Sequence, residues 1–411
     1  MSAGLGRERP RPEDFAPPPD AARIATWIEA DRAARPARLT RLRARFDEAG
    51  IDAYFGVHPE HSRYLTGFSL GDGEERVAGS SGRFLVAADE VVLFADSRYT
   101  LQARREAPDA RIEDVYGDLA IRWPELVNGI GAHRVGIESA YLSHGLWTAL
   151  AAAAPGVALV PVEGWVEADR AVKDPSEIER IAAACAVADR ALATLVPEIT
   201  AGMTEVDLAM RLEWLMRTGG AEALAFDVAC LSGPEAALPH GSPGDRPVRD
   251  GAVLLFDFGA RVAGYRSDMT RTLFVGEPTR RDLEVYELVS RSQQAAIDAL
   301  ESAVAGDSPC PSGRAIDAVA RSVIEAAGLG DRFGHGTGHG IGLATHESPN
   351  LGKRAPDTPL PSPTVFSIEP GVYLDGQTGV RIEDLVVFDA GAGRIERLTR
   401  FPRDVMVVGT T

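Results

Sequence analysis

Asp257, Asp268, His339, Glu369 and Glu383 are five side chains able to ligate a metal, and each stands inside or beside a short apolar run in the second half of the chain. Asp257 lies in V-L-L-F-D-F-G, Glu369 in V-F-S-I-E-P-G-V and Glu383 in V-R-I-E-D-L-V-V, segments that otherwise read as buried strands. A carboxylate in such a place must be paired, protonated or bound to a cation, because burying it bare is costly. Four carboxylates and one neutral imidazole balance two divalent cations and leave room for a bridging hydroxide. Oxygen-rich ligation with a single imidazole makes Mn(II) the first expectation, with Co(II), Zn(II) or Fe(II) as alternatives. Mg(II) is disfavoured, since imidazole is a poor ligand for it.

The separate pieces are weaker than the set. Asp257 and Asp268 flank R-V-A-G-Y-R between two strand-like runs, so a hairpin would bring them together; alone, each would read as an ordinary turn or cap aspartate. His335, His339 and His346 crowd into F-G-H-G-T-G-H-G-I-G-L-A-T-H-E in a chain with only eight histidines. The glycines at 334, 336, 338, 340 and 342 argue against a helical pair of ligands, because each interior glycine costs roughly 1 kcal/mol of helix stability. An extended or looped backbone that approaches a ligand closely is the expectation. A phosphate loop is excluded, since G-x-x-x-x-G-K-[ST] is not present.

The elements that must position these groups are legible in outline. From about Pro36, Leu39, Leu42 and Phe46 mark one face of a helix that Gly50 ends, followed by the strand-like I-D-A-Y-F-G-V. A hairpin (F-L-V-A-A-D-E-V-V-L-F-A-D), a helix (Y-T-L-Q-A-R-R-E-A), a strand (V-G-I-E) and a helix (L-W-T-A-L-A-A-A-A) complete an α/β domain. A linker is expected near 161 to 173. Asp174 and Pro175 then read as the N-cap and first turn of a helix to about Leu195, and Thr204 with Asp207 opens another. Strands near 226 to 232, 252 to 260, 266 to 275, 364 to 373 and 380 to 388, with helices near 280 to 304 and 313 to 327, give an α+β second domain.

The 411 residues suit about two domains, as single cores rarely exceed ~250 to 300 residues. A formal net charge of -17 disfavours nucleic acid and provides no polybasic membrane patch, leaving a neutral or cationic small substrate. Cys185, Cys230 and Cys310 are an odd, widely spaced set and make no disulfide framework, which fits a reducing cytoplasm. No apolar leader or membrane-length apolar run is visible. The first twenty residues, rich in proline and charge, read as a disordered or loosely docked tail.

In order, L-L-F-D-F-G-A, Y-R-S-D-M-T-R-T, G-H-G-T-G-H-G-I-G-L-A-T-H-E, F-S-I-E-P-G-V-Y and G-V-R-I-E-D resemble the motifs of the pita-bread metallopeptidases, in particular the proline-specific branch of Xaa-Pro aminopeptidases and Xaa-Pro dipeptidases (prolidases). The resemblance covers about residues 37 to 411. It implies a creatinase-like N-terminal domain over 37–165 and a pita-bread catalytic domain over 166–411; the proline-rich N-terminal extension, 1–36, falls outside the family pattern and by its composition reads as flexible at its start. It also implies Asp257 on one ion, Asp268 and Glu383 as bridges, and His339 and Glu369 on the other ion. His240, His335, His346 and Arg381 match substrate-side positions. Ala344 and Thr345 depart from the family's acidic or polar residue and valine before the third histidine.

The activity this resemblance implies is hydrolysis of an Xaa-Pro imide bond by a hydroxide activated at two metals. Glu369 would take and pass on the proton, while His346 and His240 stand around the reacting carbonyl. D-S-R-Y-T-L-Q-A favours an Xaa-Pro aminopeptidase, with the dipeptidase as alternative. From another class comes a metal-free binding scaffold, but such domains lose ligands, and all five are intact here. A metal-free amidinohydrolase is disfavoured for the same reason, and hydrolysis of organophosphates or other non-peptide substrates would use the same site. A cytoplasmic homodimer acting on small peptides is the expected context.

Overall fold

A computed structural model describes residues 9–117 and 119–409, so the very start of the expected flexible extension lies outside the described residues. Two compact units emerge: one is residues 28–170, the other combines the chain up to Trp27 with Ala171 onward. Among the described residues, no helix is long and apolar enough to cross a membrane.

The 28–170 unit is built on a six-stranded sheet in the order Arg111–Asp114, Val91–Ala95, Phe84–Val86, Ala53–Gly56, Arg134–Glu138 and Ala158–Val162. Only Phe84–Val86 runs antiparallel to its neighbours. Its central strands are buried throughout, as a sheet with both faces covered requires. Phe55, Phe94, Trp123, Leu126, Val135 and Ile137 form the core.

The first helix, Ala21–Arg43, begins well before the expected start at Pro36, which lies inside it. The apolar pattern misses its first part because, before Leu42, two of its three buried residues are Arg35 and Arg38, with Trp27 the third. Arg35 donates to the Glu106 carbonyl (3.2 Å), Arg43 to that of Ala87 (2.7 Å), and Arg38 lies over the Tyr64 ring at 4.1 Å. The tail reading also needs correction from residue 9 onward. Phe15 is buried and stacks on Phe401, and Arg190 donates to the carbonyls of Pro12 (2.7 Å) and Phe15 (3.2 Å).

In the other unit, Pro175–Leu195 opens with a capping box in which the Asp174 carboxylate accepts from Glu177 N and Glu177 reaches back to Asp174 N. Glu205–Thr218 starts the same way on Thr204 and Asp207. These helices, with Arg280–Ala305 and Gly313–Ala326, pack on sheets that carry the candidate ligands. One sheet orders Val407–Val408, Met269–Val275, Val253–Phe258 and Ala229–Ser232; another orders Glu347–Leu351, Gly338–Gly340, Thr364–Ile368, Asp384–Asp389 and Arg394–Arg397. Gly371–Leu374 and Thr378–Arg381 form a separate ribbon.

Candidate metal centre

Asp257 and Asp268 reach one face through an antiparallel pairing. Asp257 is opposite Thr270, and residues directly opposite share a face, as do positions two apart, so Asp257, Thr270 and Asp268 point the same way. The R-V-A-G-Y-R segment between them is a narrow hairpin, with Val262 paired to Tyr265 and both Ala263 (φ 47°) and Gly264 (φ 86°) left-handed, the signature of a tight two-residue turn. Thr270 continues the site: its hydroxyl donates to Glu383 Oε2 (2.8 Å), and its carbonyl accepts from Glu383 N (3.2 Å).

Within the glycine-rich run only Gly338–Gly340 is a strand, and the flanking residues are irregular, so both the extended and the looped form occur. Gly338–Gly340 lies between Glu347–Leu351 and Thr364–Ile368. The expected close approach is to protein backbone: a Cβ on Gly338 would sit 1.9 Å from the Ser367 carbonyl, and one on Gly340 2.1 Å from that of Ser348. Side chains are excluded so that this strand can enter the sheet and place His339.

Ligand-type atoms of Asp268, His339 and Glu383 lie within 4.8 Å of one another, and all three residues are buried. His339 Nε2 is 3.6 Å from Asp268 Oδ2 and 3.4 Å from Glu369 Oε1. Its Nδ1 faces the Gly340 carbonyl at 3.0 Å; a carbonyl cannot donate, so Nδ1 carries the hydrogen. Burial pushes the His339 pKa down and favours the neutral ring, leaving an Nε2 lone pair aimed at carboxylate oxygens. That arrangement is repulsive unless a proton or a cation stands between them.

The carboxylates point to the same need. Asp257 Oδ1, Asp268 Oδ1 and Glu383 Oε1 are buried and make no hydrogen bond among the described residues. Burial, followed by the charges of Glu383, Asp257 and Glu369, holds the Asp268 pKa well above the usual carboxylate range. Glu383 is raised by burial and by Glu369 and Asp257, and Glu369 by burial above all. Orphaned oxygens, mutual repulsion and one imidazole lone pair suit divalent cations of the harder or borderline kind.

These shifts have a measurable consequence. Unfolded, the carboxylates return to pKa values near about 4, so above that range the unfolded state binds fewer protons than the folded one, and this cluster lowers stability as pH rises. Divalent cations cancel the penalty. The increase in Tm on adding Mn(II) to chelated protein is therefore expected to grow from about pH 5 to about pH 7.5, as ligand deprotonation favours binding. At a free ion concentration about 100 times Kd the stabilisation should reach about 2.7 kcal/mol. An increment that is absent, or that shrinks as pH rises, would contradict a carboxylate-rich metal centre.

Arg381 is placed differently from an open substrate cation. It is buried, and its guanidinium donates to Asp257, to Thr270 Oγ1 (2.9 Å), to the Tyr373 hydroxyl (2.9 Å) and to the Pro239 carbonyl (3.4 Å). Its nitrogens are thus committed to the protein. His335 stands next in line: Nδ1 faces the Gly336 carbonyl (2.7 Å), so the neutral ring accepts from the Tyr373 hydroxyl at Nε2 (2.8 Å). Burial lowers the His335 pKa and raises that of Tyr373 to about 12, keeping both neutral.

The more accessible histidines are His346 and His240. The His346 ring lies 4.1 Å from that of His339, centroid to centroid, and burial lowers its pKa. His240 is exposed, follows Pro239 on the loop touched by Arg381, and is close enough to influence His335 and His346 electrostatically. At the departure noted in the sequence, Thr345 donates to the Ala225 carbonyl (3.0 Å), so it braces the loop before His346. Sequence reasoning missed Tyr373 and Thr270. Tyr373 sits in the apolar run G-V-Y-L, where an aromatic residue reads as core, and Thr270 carries no signal until the pairing with Asp257 is known.

Residues 179–390 match the profile of metallopeptidase family M24, and residues 38–172 match the creatinase/prolidase N-terminal domain. An Xaa-Pro dipeptidase of Pyrococcus furiosus is 32% identical over 90% of this chain and 99% of its own. Among solved structures, an Xaa-Pro dipeptidase from Bacillus anthracis superposes with a TM-score of 0.81 at 32% identity, covering 91% of this chain and 100% of that one. An X-Pro aminopeptidase from Thermotoga maritima gives 0.75 at 35% identity, covering 87% and 98%.

Proposed function

Because the chain belongs to metallopeptidase family M24 and carries a creatinase/prolidase N-terminal domain, we propose that it is an Xaa-Pro dipeptidase, hydrolysing the imide bond of dipeptides that end in proline. The observation that carries this reading is the near-complete alignment with relatives that bear that activity in their names, supported by the ligand-type atoms of Asp268, His339 and Glu383 within 4.8 Å of one another and by Glu369 Oε1 3.4 Å from His339 Nε2. It replaces the aminopeptidase preference drawn from D-S-R-Y-T-L-Q-A, a motif remote in sequence from the centre.

Asp257, Asp268, His339, Glu369 and Glu383 would hold two divalent ions, with Mn(II) the first to test. When bound, such ions supply Lewis acidity toward the scissile carbonyl and acidify water near neutral pH. The chain's own contribution starts with Glu369, whose carboxylate accepts from Ser367 Oγ (3.1 Å) and, with its pKa raised by burial, is suited to take a proton and return it. The leaving proline nitrogen has no N–H and must gain a proton, so this return is essential to the cleavage. His346, whose ring lies 4.1 Å from that of His339, and His240, both exposed, would donate toward the carbonyl oxygen. Arg381 holds Asp257 against rotation, and Thr270 does the same for Glu383.

One observation favours the aminopeptidase as second reading: a dipeptidase must bind the free proline carboxylate, and Arg381 has its guanidinium committed elsewhere. Initial rates on Ala-Pro, Ala-Pro-Ala and Gly-Pro-Gly-Gly, after chelation and readdition of Mn(II), separate the two. Cleavage of Ala-Pro alone is the expected result. Cleavage of the longer peptides would make it an aminopeptidase, and cleavage of none with any divalent ion would end the proline-peptidase reading.

A further inference from the structure

The strand and loop that carry His335 and His339 are built from glycines because neighbouring carbonyls leave no room for a Cβ: besides Gly338 and Gly340, Gly336 would place one 2.7 Å from the Leu351 carbonyl. Glycine also leaves the backbone with the most conformational freedom to lose. A site that needs its groups held to a fraction of an ångström therefore needs a template outside this run.

We propose that Asp317 and Arg321, a buried ion pair on the helix Gly313–Ala326, are that template and act as positioning residues for the metal centre. The pair is bidentate, with Arg321 Nε 2.9 Å from Asp317 Oδ2 and Nη2 2.8 Å from Oδ1. Both side chains are almost fully buried. The rest of the guanidinium grips the loop: Nη1 donates to the Phe333 carbonyl (2.8 Å), Nη2 to that of His335 (2.7 Å), and the plane lies 4.1 Å from the Phe333 ring. Asp317 Oδ1 takes the next turn of backbone, accepting from Thr337 N (3.0 Å) and Thr337 Oγ1 (2.9 Å).

Two lines lead from this anchor to the centre. The Thr337 carbonyl accepts from Glu369 N (2.7 Å), so the residue clamped by Asp317 sets the backbone of a proposed ligand. On the other side, His335 receives the Tyr373 hydroxyl, Tyr373 receives Arg381, and Arg381 donates to Asp257. A carboxylate and a guanidinium behind the site thus fix groups on both sides of it. An i, i+4 ion pair on a helix is ordinarily a surface ornament worth little. Here the geometry turns it into a brace, because an arginine fork reaches two carbonyls while holding its own counter-ion.

Arg321→Lys tests this, since lysine keeps the charge but cannot hold Asp317 and two carbonyls at once. The inference rests on the metallopeptidase reading, but a calorimetric Mn(II) titration of the chelated protein judges it without any substrate. We expect Mn(II) affinity, and kcat on Ala-Pro at saturating Mn(II), each to fall about 10- to 100-fold, as for other residues that orient ligands, with KM changing far less. Should Arg321→Lys not fold, Thr337→Val, which deletes one donor to Asp317, is expected to lower both quantities in the same direction, and Thr337→Ser to restore them. Wild-type affinity and kcat in a folded Arg321→Lys or Thr337→Val protein would overturn the proposal, as would a loss in kcat that cooling fully reverses with Mn(II) affinity unchanged. If the wild type binds Mn(II) but cleaves no proline dipeptide, the functional reading fails while the anchoring result stands or falls on the titration.

Discussion

Glu369→Gln is expected to lower kcat on Ala-Pro by about 10²- to 10⁴-fold, the range spanned by positioned proton-transfer groups. The amide keeps the shape of the side chain and can still accept from Ser367 Oγ, so the backbone held by Thr337 should stay in place. What disappears is the group that can gain and release a proton beside His339 Nε2, 3.4 Å away. One ligand charge disappears with it, so Mn(II) affinity should weaken as well. Saturating Mn(II) separates the two effects. If kcat at saturation recovers to within a few-fold of wild type, Glu369 is a ligand and no more, and another group carries the proton.

Asp384→Asn should have the largest effect on stability. Asp384 is fully buried; its Oδ1 accepts from Arg271 Nη2 (2.7 Å) and Thr399 Oγ1 (2.6 Å), its Oδ2 from Gln293 Nε2 (3.0 Å), with Arg403 and Arg397 at 3.7 and 3.8 Å. Asparagine turns an NH₂ toward some of these donors and leaves a buried guanidinium without its counter-ion. Breaking a buried pair in this way costs about 3–5 kcal/mol. For a unit of this size that is a fall in Tm of roughly 10 °C. The damage should also reach the metal centre, since Arg271 Nη1 ties the Thr270 carbonyl (2.9 Å) to that of Glu383 (2.5 Å). Thermal unfolding with and without Mn(II) checks both: the fall should be larger with the ion than without it. A variant as stable as wild type would mean that the arginines around Asp384 find other partners.

Asp257, Glu369 and Glu383 stand out in the sequence because a charge inside an apolar run is a local anomaly, His339 stands out by its glycine-rich company, and Asp268 by itself reads as an ordinary turn aspartate. The capping boxes at Asp174 and Thr204 were legible for a related reason, since a cap is a contract between residues three apart. Long-range anchors carry no such mark. Asp317 and Arg321 look like a solvent-facing helix pair, and only the arrival of Phe333 and His335 over them reveals a buried template. Arg381 was recognised as belonging to the site, but its partners come from Asp257, Thr270, Tyr373 and Pro239, three of them more than a hundred positions away, and they convert an apparent substrate cation into a brace. The first part of the helix through Pro36 escaped because Arg35 and Arg38 take two of its three buried positions before Leu42, and a search for apolar periodicity passes over them.

Phe15 packs on Phe401, and Val407–Val408 adds a parallel strand beside Phe274 and Val275. During synthesis, the 28–170 unit has all of its residues once Arg170 has left the ribosome, and it is free to fold as a contiguous domain. The other unit must wait: Phe15 emerges early and stays without Phe401 until the end of the chain is made. For that interval the Phe15 ring lacks its stacking partner, a window in which chaperone capture or premature association competes with folding. Truncation of either segment would make that transient exposure permanent.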